Sequence, residues 1–143
     1  MSDRKLKIIC EALKNNSHTR VLNLGRNKIG DLGAKYLSNL IKINKKIIEI
    51  HLSCNDITDV GAKYLLDALK LNYNICNIDL SFNKKISKPL LNEIYKLEEE
   101  NTKRSEDAKK RVEKHLEKCR DVKLMFIIVR KNFLLLFGKL IFL

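Results

Sequence analysis

The chain has 143 residues, 45% of them hydrophobic, and 29 Lys and Arg against 17 Asp and Glu give it a net charge of +12. That length supports one modest domain with an appendage, and the apolar content excludes a chain disordered throughout. The charge is spread, +2 in residues 1–16, +6 in 17–97 and +4 in 98–143, so it permits an anionic partner without demanding one.

The first residues, MSDRKLKIICEAL, contain no apolar run long enough for a signal peptide, which predicts synthesis in the cytosol. Cys10, Cys54, Cys76 and Cys119 form no C-x-x-C pair. Their spacing fits neither a zinc site nor a compact disulfide framework, so four reduced thiols in a cytoplasmic protein are expected, with no metal and no cofactor.

Residues 33–37 and 61–65 both read GAKYL, a step of 28 residues. The same step carries Leu22 to Ile50 to Ile78, Leu24 to Leu52 to Leu80, and Asn27 to Asn55 to Asn83. It also links Ile29 with Ile57, Asp31 with Asp59, Asn44 with Asn72 and Ile47 with Ile75. A sustained period of this size predicts a solenoid, whose units bury their apolar faces against one another. Residues 11–14 and Asn16 stand 56 places before 67–70 and Asn72. Residues 1–18 therefore read as a half-repeat, a helix without its strand, serving as a cap or continuing a longer array.

Residues 19–97 read as three full repeats. In 47–74, Ile48, Ile50 and Leu52 alternate with Glu49 and His51, which predicts a short strand with Ile50 and Leu52 facing the core. Asn55, Asp56, Thr58 and Asp59 are turn residues, and Thr58 or Asp59 can cap a helix. Gly61 permits close packing at the helix start. Ala62, Leu65, Leu66 and Leu69 then recur on one helical face. The third unit starts in the same way but carries its isoleucine one place late, at Ile86, and Pro89 stands where Gly61 predicts a glycine.

The pattern V-L-N-L-x-x-N-x-I-G-D-x-G-A-x-x-L over Val21–Leu37, matched again in 47–74, resembles a leucine-rich repeat of the ribonuclease-inhibitor type. The resemblance covers about residues 9–97. It implies an α/β solenoid with parallel strands lining a concave side and helices outside. It also implies that Asn27, Asn55 and Asn83 are structural, their amides bonding backbone groups in the bend after each strand. Physically, such a bend strands polar groups that need partners.

The concave side, which commonly binds partners in this family, is here a mixed surface of Arg26, Glu49, His51, Asn77, Asp79 and Phe82, together with Val21, Asn23 and Cys54. A mixed surface with Arg and aromatic anchors suits protein recognition, and Arg26 and Phe82 are the expected anchors. Two lysine columns, Lys7, Lys35, Lys63 and Lys14, Lys42, Lys70, lie seven residues apart, which places both on one helical face as a basic ridge. The ridge admits nucleic-acid phosphates as an alternative, but it lacks aromatic interleaving for base stacking, so nucleic acid is not the expected partner. His18, His51 and His115 are scattered, and no catalytic triad, phosphate loop or H-E-x-x-H motif is present. An enzyme, and hence a small-molecule substrate, is not expected.

Residues 98–123 are helix-forming and highly charged, and read as a solvated helical spacer. Residues 124–143, LMFIIVRKNFLLLFGKLIFL, hold four of the five phenylalanines but are interrupted by Arg130, Lys131 and Lys139. This apolar segment is long enough to span a bilayer, yet three basic residues offset its insertion energy. It admits a membrane-associated adaptor as a further alternative, with the tail as an anchor or an interfacial helix, beside out-of-frame sequence on a fragment of a longer array without activity of its own. The leading expectation is a non-catalytic protein-protein interaction module.

Overall fold

Three strands, β1 (Val21–Asn23), β2 (Glu49–His51) and β3 (Asn77–Asp79), form a parallel sheet in the order β1-β2-β3. Leu22 pairs with Ile50 and Ile50 with Ile78, so the register of the sheet is the 28-residue period of the sequence. Each strand is followed by a helix, as a parallel connection requires. The chain runs α1 (Asp3–Leu13), β1, α2 (Asp31–Ile43), β2, α3 (Asp59–Leu69), β3 and α4 (Lys88–Leu140). The computed structural model describes residues 2–140, with side chains to residue 127.

The core is the set of residues that the period selects. Ile50, Leu52, Ile57, Leu65, Leu69, Ile75, Ile78 and Leu80 are all buried, as are Leu6 and Cys10 of α1. The half-repeat helix thus packs as a repeat helix does, against α2. Burial pushes the Cys10 thiol up to about 11, so it stays protonated and inert at neutral pH.

The helix starts are tied together between repeats. Asp31 Oδ1 accepts from the backbone N–H of Thr58 at 2.8 Å and of Gly61 at 2.9 Å, and its Oδ2 accepts from the Thr58 hydroxyl at 2.7 Å. Asp3 accepts from Gly30 N–H at 3.0 Å, and Asp59 from Ser87 N–H at 2.7 Å. Each helix therefore offers its first carboxylate to the unpaired donors and the positive dipole end of the next one. Thr58 also caps its own helix, accepting from Val60 N–H at 3.2 Å. This contact explains the glycine of GAKYL: a Cβ on Gly61 would lie 2.5 Å from Asp31 Oδ1 and 2.9 Å from an Ile57 methyl. At Gly33 it would lie equally close to Asp3. No side chain fits there without displacing the carboxylate.

The third repeat gains one residue. Ile86 takes the buried place of Ile57, and Ser87 stands in for Thr58, its backbone N–H donating to Asp59 as the Thr58 N–H donates to Asp31. Pro89 then precedes the glycine position, which Leu90 occupies. Asn101 sits 29 places after Asn72, fully buried.

Along α4, polar side chains close the outer edge of β3. Backbone groups of Leu80 and Ile78 meet the Tyr95 hydroxyl and the Glu98 carboxyl. The Thr102 hydroxyl donates to Cys76 O at 3.1 Å, and Asn101 Nδ2 donates to Ile75 O at 3.3 Å. The chain divides into two compact units, residues 1–105 and 106–143. In the second, Val112, Leu116, Val122 and residues 124–127 are exposed. The rest of the apolar segment expected at 124–143 lies, for its side chains, outside the described residues. Among the described residues no helix is long and apolar enough to cross a membrane.

Leu52 is fully buried, so Leu52→Ala is expected to lower the unfolding free energy by about 2–5 kcal/mol in urea titration. Asp31 gives a pH signature. Partial burial works against its ionisation, but the hydrogen bonds from Thr58 and Gly61, with Lys85 nearby, hold its carboxyl below the usual value of 3.8. Its stabilisation is therefore complete above about pH 4 and is lost as pH falls through the lowered folded value. Asp31→Ala is expected to cost about 1–2 kcal/mol at pH 7, and to flatten the acid limb of the stability profile.

Candidate functional site

The sheet face away from the helices presents its side chains in rows set by the register. Asn23, His51 and Asp79 form one row, and Val21, Glu49 and Asn77 another. His51 Nε2 lies 3.7 Å from Glu49 Oε2, and it also acts on Asp79 across the strand pair. The sheet thus brings Glu49, His51, Asn77 and Asp79 together on two neighbouring strands.

Arg26, Cys54 and Phe82 form a third row just beyond the strand ends, and each has a left-handed backbone, with φ of 55°, 55° and 58°. Left-handed backbone costs a side-chain-bearing residue roughly 1–2 kcal/mol relative to the right-handed form. The turn needs this geometry to swing the next residue, an asparagine, inward. Asn55 Nδ2 donates to Leu24 O and Leu52 O, both at 2.9 Å, while its Oδ1 accepts from Ile29 N–H at 3.0 Å. Asn83 repeats the set with Leu52 O, Leu80 O and Ile57 N–H. Asn27 donates to Leu24 O and Gly25 O. The asparagine column is committed to backbone, while the row beside it points outward: Phe82 is 73% exposed.

Beside β3 the face gains two residues from α4 that sequence reasoning placed in or next to a solvated spacer. Half-burial and the charge of Asp79 push the Glu98 carboxyl up, against the Ile78 N–H. Burial and Asp79 likewise push the Tyr95 hydroxyl up. Asp79 itself is partly buried, yet Ser81, Ser53 and His51 hold it below the usual carboxylate range. At neutral pH this corner is acidic, whereas Arg26 makes the β1 side basic.

The lysine columns lie on the helices. Lys7 sits 5.8 Å from the Tyr36 ring and Lys35 5.7 Å from the Tyr64 ring, a contact repeated between successive helices. Lys14 pairs with Glu11 at 2.6 Å, and Lys70 with Glu93 at 3.0 Å. Lys42 and Lys63 are exposed. Four of the six ridge lysines are therefore engaged by ring faces or carboxylates of the chain itself. Among the described residues no group of His, Cys, Asp and Glu could hold a metal ion.

A family model described as Leucine Rich repeat matches residues 15–38 and 44–66. Two of the repeats thus match the leucine-rich pattern, in keeping with a short leucine-rich-repeat array. Among solved structures, the chain is similar to Leiomodin-1 Actin-Binding Site 2, with a TM-score of 0.65 and 21% identity over 85% of this chain and 83% of that one. A second similar structure is a tropomodulin C-terminal domain from Caenorhabditis elegans, with a TM-score of 0.49 and 16% identity over 76% of this chain and 82% of that one. No curated protein matches the sequence.

Because Glu98, Asn101 and Thr102 close the β3 edge, two truncations are expected to differ. A chain ending at Ser105 should unfold at the denaturant midpoint of the full chain. One ending at Leu97 should unfold earlier and aggregate through its bare edge strand, measured by urea titration and light scattering.

Proposed function

We propose that the chain is a non-catalytic protein-interaction module of the cytoplasm, and that its partner docks on the strand face between Arg26 and Phe82. The left-handed row carries this reading. Glycine would sit at 26, 54 and 82 without steric cost, yet these positions hold an arginine, a thiol and an exposed phenylalanine. Backbone strain borne by side chains that stabilise nothing inward favours a role outward. Arg and aromatic residues are the types that dominate binding energy at protein interfaces. Glu49, His51, Asn77 and Asp79 supply the polar groups around them, and the packed core behind keeps the face rigid, which reduces the ordering cost of binding. The four cysteines, with no C-x-x-C pair and no framework spacing, suit that compartment.

One solved structure that shares the fold is named as an actin-binding site, which makes actin the first partner to assay. The experiment is co-sedimentation of the full chain with filamentous actin, and titration against monomeric actin, for the wild type, Arg26→Glu and Phe82→Gly. Both variants are expected to weaken binding by about tenfold or more. Phe82→Gly is expected to leave the folding midpoint within about 1 kcal/mol of the wild type, because relief of left-handed strain offsets the added chain entropy of glycine. Binding unchanged in both variants would move the partner off this face, and no binding to either form would remove actin.

A further inference from the structure

The turns that lead from each helix into the next strand stack as the strands do. Ser17 shares a register position with Lys45, and His18 with Lys46. These four side chains, with Arg20 and Ser105, surround a hollow of about 490 Å³ whose lining contains no carboxylate. Among the described residues, the side chains of Arg20 and Lys46 hold no hydrogen bond or ion pair, and Lys45 reaches only Leu71 O, at 3.4 Å. The contrast with the helical ridge is direct, for there Lys14 and Lys70 have carboxylate partners.

The backbone under these cations is held in place. Asn16 Oδ1 accepts from His18 N–H at 3.0 Å and Thr19 N–H at 2.7 Å. Asn44 Oδ1 accepts from Lys46 N–H at 2.7 Å and Ile47 N–H at 3.0 Å, while its Nδ2 donates to Asn16 O at 3.0 Å. One asparagine ladder thus fixes both turns and the spacing between them, leaving only the side-chain tips to adapt. Like charges gathered around one hollow repel, and a bound anion relieves that repulsion. A phosphate group offers two negative charges and several acceptor oxygens, which suits an arginine fork, two ammonium groups and hydroxyl donors together. The volume falls in the range of small-molecule pockets, so it also holds part of the molecule that carries the phosphate.

We propose that this hollow is a binding site for phosphate monoesters, held by Arg20, Lys45 and Lys46, with His18, Ser17 and Ser105 as further donors. The phosphate comes either from a soluble polyol phosphate or from a phosphorylated side chain. The test is calorimetric titration of the full chain at about 0.15 M salt, where surface charge is largely screened. The probes are inositol hexakisphosphate and a phosphoserine peptide with neutral flanks, the latter beside its unphosphorylated form. Saturable binding is expected, weakened about tenfold or more in R20Q/K46Q. The ridge variant K35Q/K63Q, with the same loss of charge, is expected to bind like the wild type. Circular dichroism checks the fold of each variant, and K45Q/K46Q replaces R20Q/K46Q if the latter is unfolded. Binding by the polyol phosphate alone assigns the site to small phosphates, and binding by the phosphopeptide assigns it to a modified protein. Equal weakening in both double variants, or no saturable binding with either probe, overturns the proposal.

Discussion

The side-chain amide of Asn55 joins three pieces of chain at the point where a strand must turn out of the sheet. It holds the carbonyl of its own strand end, the carbonyl of the strand end before it, and the N–H of Ile29 in the previous repeat. Those backbone groups are buried among Leu24, Ile29 and Leu52, where an unpaired polar group costs about 1–3 kcal/mol. Other features follow from this requirement. The residue before each asparagine is forced into the left-handed region, which lifts Arg26, Cys54 and Phe82 into an outward row. The bend sends the chain back over the sheet, which is where the helices, and with them the core, have to lie. A surface offered for recognition and a buried amide are two sides of one turn.

Much of this was legible in the sequence because a stacked repeat writes its contacts as a period. The step from Leu24 to Leu52 to Leu80 is both a sequence interval and a sheet neighbour relation, so strand positions, core and asparagine column could be read together. The aspartate ladder was hidden in plain view. Asp31 and Asp59 kept the period, but local reasoning assigns a cap to the helix that carries it, whereas Asp31 caps the helix 27 residues further on. The closure of β3 by α4 was hidden differently. Glu98, Asn101 and Thr102 are polar and sit in a charged run, which reads as solvent-facing, but the surface they cover is the polar edge of a strand. The hollow at the turns was illegible for a third reason: Arg20 does not share a register position with Lys45 or Lys46, so no column announced it.

The one-residue gain in the third repeat shows how far the pattern tolerates error. The extra residue falls between Asn83 and Ile86, beyond the last amide contact and before the next helix, where a longer loop disturbs neither strand register nor core. The offset carries into that helix, where the next asparagine of the period falls. Asn72 and Asn44 each use their side-chain oxygen to hold the N–H groups of the turn that follows. Asn101 stands in the matching place, but α4 continues past it, and its oxygen is buried with no partner. The amide is retained while the turn it served in the earlier repeats is absent.

The two ends of the sheet are unequal, and this bears on how copies of the molecule meet. No described strand lies on the outer side of β1, while the matching side of β3 is occupied by Tyr95, Glu98 and Thr102. An endless fibre built by strand pairing needs two sticky ends, one for each direction of growth. With β3 closed, a β1 edge can meet only another β1 edge, and such a pairing uses up both. Edge-to-edge pairing through this sheet would therefore stop at a pair, because side chains of one helix cover its other edge.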